Sequence, residues 1–192
     1  MITEPPTLVT DRLVLSGHAA DDLDDAVALW SDAEVTKYIG FTRNRQDTWF
    51  TMARYRGFWA LLGYGYWVVR HRQSGAFVGE VGFADFMRGL EPDISGQPEA
   101  GWAFASSAWG QGIGSEAVGA IHHWLDDEGP GGPSVCVIDP ANEASVRIAA
   151  RNGYDRAGSC TYGGTRLDVF RRPARPRKTR PPRPLSFHMP RP

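Results

Sequence analysis

The sequence predicts a single α+β domain, and three observations support this. The chain has 192 residues, 42% of them hydrophobic, which is enough for one sizeable core and too few for two. Segments rich in Val, Leu and aromatic residues alternate with amphipathic segments of helical period, and no internal repeat is present. The predicted order is a strand, two helices, a hairpin, a strand, a helix, a strand, a helix and a final strand, a mixed pattern typical of α+β proteins.

The first half is predicted to form a strand, two helices and a hairpin. The segment TLVTDRLVLSG is rich in Val and Leu and predicts one strand that ends near Gly17. In DDLDDAVALW the apolar residues share one helical face, and acidic residues in the first turn suit the helix dipole. A second helix is predicted over residues 46–62. Two strands follow it, joined by a turn at Gln73-Ser74-Gly75.

The second half is predicted to form three strands and two helices. EAGWAFAS and SVCVID are apolar strands, and between them the periodic segment from Ser115 to Asp127 is a helix that GPGGP ends. Asn142 begins the last helix, which stops at Asn152-Gly153. RLDVF is the final strand.

The composition changes sharply at the C-terminus, so we predict a domain over residues 8–171 and a tail over residues 172–192. From Arg171 to Pro192 there are eight Lys or Arg, no acidic residue and seven of the 14 prolines, whereas residues 1–170 carry a formal net charge of −9. Proline removes backbone donors and favours extended geometry, so the tail is predicted to be disordered. It is either a solvated extension or an arm that contacts RNA or an acidic partner. The acidic body favours a cationic acceptor.

The remaining composition predicts a cytoplasmic protein. No run of about 18 apolar residues predicts a membrane span, and MITEPPTLVT lacks the features of a secretory signal. Cys136 and Cys160 have neither metal-ligand spacing nor the density of a disulfide scaffold. His122 and His123 point about 100° apart on a helix and cannot chelate one ion together. No metal site is predicted.

The stretch AWGQGIGSEAV places three glycines between a strand and a helix, where a phosphate group can meet bare backbone N–H groups. A dinucleotide fingerprint would need a third glycine where Ser115 stands, and a Walker loop would need a lysine that is absent. The acyl-coenzyme A loop (Gln or Arg, two spacers, Gly, one spacer, Gly or Ala) fits residues 109–114 apart from Trp109. A flexible turn with incidental glycines is the remaining alternative.

With WGQGIGSEA, TDRLVL and IDPANEASVRIAARNGY, the sequence resembles the GCN5-related N-acetyltransferase (GNAT) superfamily, in particular its branch of ribosomal-protein N-terminal acetyltransferases. The likeness spans about residues 8–170. It implies a mixed, mostly antiparallel sheet that splays between its fourth and fifth strands, with helices on both faces. It also implies acetyl-CoA as co-substrate. The implied cofactor-binding residues are Phe104 and Ala105 for pantetheine, Trp109, Gly110, Gln111, Gly112, Gly114 and Ser115 for the diphosphate, and Asn142 for the pantetheine arm.

Acetyl transfer to an amine requires a neutral amine, a stabilised carbonyl oxygen and a leaving thiolate. Glu99, which begins the strand that carries the thioester, is the first candidate for the base, and Glu80 is the second. The resemblance implies Ser145 as the group that stabilises the thiolate, because Ala149 stands where many relatives have a tyrosine acid. We therefore expect an N-acetyltransferase for a protein N-terminus or a small amine, acting as a monomer or homodimer. The alternative is an acyl-CoA-binding module without turnover.

Overall fold

The computed structural model describes residues 2–176, so most of the basic tail, with its predicted disorder and partner contacts, lies outside the described residues. These residues form an eight-stranded mixed sheet with helices on both faces. The helices are α1 Leu23–Ser31, α2 Ala33–Thr36, α3 Arg45–Leu62, α4 Ile113–Asp127 and α5 Glu143–Arg151. The strands are β1 Leu8–Val9, β2 Leu13–Ser16, β3 Tyr66–His71, β4 Phe77–Ala84, β5 Glu99–Phe104, β6 Ser134–Ile138, β7 Asp155–Tyr162 and β8 Thr165–Arg172.

The strands follow the order β1-β2-β3-β4-β5-β6-β8-β7. Within the described chain every neighbouring pair is antiparallel except β5 and β6, which are parallel. The β5–β6 pair has a single register position, Glu99 opposite Val135, after which the two strands diverge. The predicted splay between the EAGWAFA and SVCVID strands is thus confirmed.

Alternation of side chains along the strands builds a different core on each face of the sheet. On one face Val81, Phe83 and Phe104 pack against α4 and α5, and the rings of Trp59, Trp67 and Trp124 meet edge to face within about 5 Å of one another. On the other face, α1 and α3 cover the sheet. We call these the α4/α5 face and the α1/α3 face.

The structure differs from the prediction at one predicted strand and at two elements that were not predicted. The first predicted strand is two short strands, because the Thr10 N–H donates to the carbonyl of Leu13 and turns the chain between β1 and β2. The short helix α2 was not predicted, and neither was β7. Strand β7 lies at the sheet edge and exposes most of its residues on both faces, so it lacks the apolar alternation that reveals a half-buried strand.

Helix α3 has the predicted extent, and some of its largest apolar side chains are exposed. Its cap residues explain the extent: Asn44 Oδ1 accepts from the N–H of Asp47, and Gly63 ends the helix with a φ of 76°. Although Trp49 and Phe50 are apolar, they are 44% and 60% exposed. The buried positions include Thr48, Thr51, Met52, Tyr55 and Trp59.

Candidate active site

Strand β5 presents unpaired main-chain groups to the gap that opens beside β6. In the antiparallel ladder with β4, the Ala105 N–H donates to the carbonyl of Val78, and this pair fixes the alternation along the strand. Residues 99, 101 and 103 therefore turn their N–H and C=O groups towards β4, while Trp102 and Phe104 turn theirs towards the gap. The alternation of residues in the sequence does not by itself determine which set of main-chain groups faces the gap.

The end of β5 is tied to the glycine loop by Trp109. The indole Nε1 of Trp109 donates to the carbonyl of Phe104 over 2.8 Å, which leaves the Phe104 N–H facing the gap. The main chain of Ala105 is engaged inside the protein, because its carbonyl accepts from the N–H of Ala108. Phe104 is therefore the better placed of the two residues predicted to meet pantetheine.

The glycine loop has open space in front of two of its glycines. Gly110 and Gly112 have φ values of 73° and 76°, in the left-handed region that L side chains rarely adopt. A Cβ built on Gly110 meets nothing within 4 Å, and one on Gly112 meets only the Nη2 of Arg12, at 3.5 Å. Gly112 is the N-cap of α4, so the free N–H groups of the first turn open onto this space. A phosphate group fits such a cradle.

Gly114 has a different reason to be glycine. A Cβ at this position would lie 2.8 Å from Cδ1 of Ile148 and 3.2 Å from Cε2 of Phe104. The residue therefore allows α4 to approach α5 and β5 closely, and it faces the core instead of the open cradle. The Gln111 side chain is also turned to the protein, because its amide donates to the carbonyl of Ser107.

Two arginines beside the loop were not predicted. Arg12 donates from Nη1 to the carbonyl of Gln111 over 2.8 Å and pairs with Glu116 over 2.6 Å, which ties the loop to β2. Arg151, at the end of α5, donates to the hydroxyl of Ser115 over 3.3 Å. They are far from the loop in sequence, so no local spacing relates them to it.

Asn142 and Ser145 lie on the α4/α5 face beside β5. Asn142 caps α5, as predicted, since its Oδ1 accepts from the Ser145 N–H over 3.1 Å. The indole Nε1 of Trp102 donates to the Ser145 hydroxyl oxygen over 3.1 Å. The Ser145 hydroxyl hydrogen remains free to donate to another group. Ala149 is fully buried in the core.

Glu99 is buried on the α1/α3 face at the start of β5. Burial raises the pKa of its carboxyl, and Arg88, whose Nη2 donates to Glu99 Oε1, opposes that rise. Arg88 lies with its guanidinium about 5 Å from the rings of Phe86 and Tyr162. Glu99 and Ser145 are thus on opposite faces of β5, with the strand between them.

Glu80 is buried on the same face as Glu99, and both of its carboxylate oxygens have partners. The indole Nε1 of Trp30 donates to Oε2 over 2.8 Å, and Nε2 of His18 lies 3.0 Å from Oε1. In the described residues, the other ring nitrogen of His18 is buried without a hydrogen-bond partner. This carboxylate is a fixed part of a polar network, which makes it a weaker candidate for a base than Glu99.

The Tyr66 ring lies over β4 and β5, between the carboxylates of Glu80 and Glu99. The ring lies so close to Gly82 and Gly101 that a Cβ on either glycine would collide with it. Tyr55 stacks on this ring with the centroids 4.0 Å apart, and burial raises the pKa of both tyrosines. Glu80, Tyr66 and Glu99 thus form one polar row on the α1/α3 face.

Residues 2–176 contain neither a cluster of metal-ligating side chains nor a membrane-spanning helix. No group of three or more His, Cys, Asp or Glu side chains there is arranged to hold a metal ion. No helix in that range combines the length and hydropathy needed to span a membrane. Both cysteines are buried as free thiols.

Comparison with known proteins shows which family and fold the chain shares. Residues 12–155 match the acetyltransferase (GNAT) domain family. The uncharacterized protein YkkB of Bacillus subtilis is 29% identical over 174 residues, covering 86% of this chain and 94% of YkkB. A Bordetella pertussis structure assigned to the GnaT acetyltransferase family superposes with a TM-score of 0.78 at 27% identity, covering 87% of this chain and 99% of the other. RimL, a ribosomal L7/L12 α-N-protein acetyltransferase in complex with coenzyme A, shares the fold with a TM-score of 0.70 at 16% identity, covering 88% and 98%.

Proposed function

Because the chain belongs to the acetyltransferase (GNAT) domain family, we propose that it transfers an acetyl group from acetyl-CoA to a primary amine, either a protein N-terminus or a small amine. One observation carries the proposal. The unpaired edge of β5 leads directly into the open cradle of Gly110, Gly112 and the first turn of α4. An extended chain that ends in a diphosphate fits this edge and this cradle together. The complex of RimL with coenzyme A supports the same ligand class.

The residues of the cradle supply both dipole and charge for the diphosphate. The N–H groups at the start of α4 and the positive end of its dipole attract an anion. Arg12 and Arg151 add positive charge at the two sides of the loop, and Ser115 adds a hydroxyl. Trp109 holds the loop against the end of β5, and Asn142 fixes the start of α5 beside the pantetheine arm.

The chemistry proposed is direct attack of the neutral amine on an acetyl thioester, which acetyl-CoA supplies. The Phe104 N–H faces the gap and is the proposed donor to the carbonyl oxygen as negative charge develops on it. Glu99 takes the amine proton, through water, and the raised pKa of its buried carboxyl makes it a stronger base than an exposed glutamate. The Ser145 hydroxyl donates a hydrogen bond that stabilises the leaving thiolate, which takes its proton from solvent.

The second candidate function is acyl-CoA binding without turnover. It is favoured by Ala149, which replaces the tyrosine acid of many relatives, and by Arg88, which engages the carboxylate of Glu99. Both candidates require binding of coenzyme A. Only release of free thiol in the presence of an amine separates them.

The test is acetyl-CoA turnover against N-terminal peptides, lysine peptides and small amines, with coenzyme A binding measured separately by calorimetry. Gly112→Val places a side chain in the cradle and is expected to weaken coenzyme A binding by about tenfold or more. Gly132→Val is the matched control, since Gly132 also has a positive φ, of 94°, and open space around it, far from the loop in sequence. Equal weakening by both variants would contradict the assignment of the cradle.

Glu99→Gln and Ser145→Ala are compared in the same assay. We expect each to lower kcat by about 10²-fold while coenzyme A binding stays close to that of the unaltered protein. Binding of coenzyme A without thiol release from any amine would favour the second candidate. No binding at all would exclude both.

A further inference from the structure

A second pocket, lined by aromatic rings and arginines, lies on the α1/α3 side of the molecule. It has a volume of about 310 Å³ and lies between the segment after α2 and the first half of α3. Phe41 and Phe50 are half or more exposed and form part of its lining, together with Arg43 and Arg54. Large exposed aromatic side chains beside a cavity are typical of a binding site.

The lining of this pocket contains two guanidinium groups and one carboxylate, so its formal charge is positive. Within residues 2–176 neither Arg43 nor Arg54 forms an ion pair or a side-chain hydrogen bond, and the Nη1 atom of Arg43 is buried without a partner. Asp47 is the carboxylate in the lining, and in the described chain it forms no ion pair with either arginine. A buried guanidinium N–H without a partner is unfavourable, so an anionic ligand would relieve it.

Trp30 connects the pocket to the polar row beside β5. The guanidinium of Arg43 stacks on the Trp30 ring, with its carbon 3.6 Å from the ring centroid, and the indole Nε1 of the same ring donates to Glu80. Burial lowers the pKa of Arg43, while the nearby Tyr55 and Glu80 oppose this. The pocket is therefore one indole ring away from Glu80, on the face where Glu99 begins β5.

We propose that Arg43 and Arg54 bind an anionic group, a carboxylate or a phosphate, of the acceptor, so that the acceptor is an amine that also carries a negative charge. The inference rests on the proposed function and names the acceptor's chemical class. A guanidinium fork binds either anion through two parallel hydrogen bonds, and Phe41 and Phe50 offer apolar contact to the rest of the acceptor. With its anion held there, the acceptor lies on the same side of the sheet as Glu99, the proposed base.

The experiment uses two pairs of amines that differ in the anion: phenylalanine with phenylalaninamide, and phosphoethanolamine with ethanolamine. For each pair the ratio of kcat/KM, anionic over neutral, is measured for the unaltered protein, Arg54→Gln and Arg43→Gln. We expect the ratio of at least one pair to fall about 10- to 100-fold in both variants, the loss expected for a charge-assisted hydrogen bond. A fall in the first pair identifies a carboxylate and a fall in the second a phosphate.

Arg56→Gln is the matched control, because Arg56 lies on the same helix, also exposed, and pairs with Glu4 away from the pocket. Its ratios should equal those of the unaltered protein. Ratios that are unchanged in Arg54→Gln and Arg43→Gln, or that fall equally in Arg56→Gln, would overturn the inference. The exposed Arg54 is the safer variant, since Arg43 packs on Trp30 and its loss affects that contact.

Calorimetry separates this inference from the proposed function. If no amine is acetylated, phenylalanine and phosphoethanolamine are titrated into the protein directly. Binding that is weakened in Arg54→Gln and retained in Arg56→Gln would support the anion site although transfer fails. Absence of binding by both ligands would overturn it.

Discussion

At the scale of single residues, His122 shows how a buried network fixes a protonation state. Its Nδ1 lies 2.7 Å from the carbonyl of Val118, an acceptor, so this nitrogen carries the proton of the neutral ring. Its Nε2 then accepts from the Tyr154 hydroxyl over 2.8 Å, and the Ser134 hydroxyl lies 2.7 Å from the same Tyr154 oxygen. His123, its neighbour, is exposed and pairs with Asp127, so the two histidines do different things, as their angular separation predicts.

The buried His122 makes the free energy of unfolding depend on pH. Burial lowers its pKa from 6.5 to about 4, so between these values the unfolded chain binds more protons than the folded one. Stability is therefore expected to fall as the pH drops from 6.5 to 4, by about 3 kcal/mol from this residue. Urea unfolding at a series of pH values measures the effect. The His123→Gln variant should lose as much stability between pH 6.5 and 4 as the unaltered protein, and the His122→Gln variant should lose less. An equal dependence of the unfolding free energy on pH in the two variants would show that His122 is not the responsible group.

Site residues were predictable where local sequence determines their role and missed where distant segments meet. Asn142 caps α5 because its side chain reaches its own helix, a contact that sequence order predicts. Arg12, Arg43 and Arg151 have no such local indicator, since each acts beside residues brought close by the tertiary fold. The main chain of Phe104 faces the gap because of the register in which β4 pairs with β5, and the sequence does not show this register.

At the scale of elements, α4 contains two glycines with different surroundings. Gly114 lies against Phe104 and Ile148, whereas a Cβ at Gly119 would meet only Oδ1 of Asn152, at 3.6 Å. Glycine inside a helix is unfavourable by about 1 kcal/mol relative to alanine unless the space is needed. Substitution at Gly119 therefore measures helix propensity alone, whereas substitution at Gly114 also measures the effect of packing.

We expect Gly119→Ala to raise the free energy of unfolding by about 0.5–1 kcal/mol. Gly114→Ala should give no such gain, because its methyl group must displace the side chains of Ile148 and Phe104. Denaturant unfolding of both variants measures the difference. An equal gain in unfolding free energy at the two positions would mean that a glycine at position 114 is not required for the packing of α4 against α5.

Elements were predictable from sequence where one face is apolar and the other polar. The core strands and α4 have such patterns, and their bounds were predicted to within a few residues. In α3, tertiary packing overrode the pattern: Thr48 and Tyr55 are buried, while Trp49 and Phe50 face outwards. Of these two exposed rings, Phe50 lines the proposed acceptor site.

At the scale of the whole molecule, the net charge and the proposed anion site predict different features of the acceptor. Residues 1–170 carry a formal charge of −9, which favours a cationic ligand by long-range attraction. Among the described residues, the two arginines of the pocket beside α3 form no ion pair and no side-chain hydrogen bond. Salt screens the long-range field within about 10 Å, so we expect the anion preference of the pocket to persist at physiological ionic strength better than the attraction of a cation to the whole body.

One buried ion pair joins the end of the sheet to the helical layer. Arg172, the last residue of β8, makes two hydrogen bonds to the carboxylate of Asp126 on α4, over 2.9 and 2.6 Å, and a third to the carbonyl of Asn152. The Arg172 side chain is 2% exposed. The predicted domain limit at residue 171 lies one residue before this contact.

A chain that ends at residue 171 is therefore expected to be less stable than one that ends at residue 176, by about 3–5 kcal/mol, because Asp126 is left as a buried, unpaired charge. Thermal and denaturant unfolding of the two truncated chains measure this difference. Adding Asp126→Asn to the shorter chain should recover part of the loss, since the amide carries no charge. Equal stability of the chains ending at 171 and 176 would place the structural limit of the domain before Arg172 and leave the pair without a role in folding.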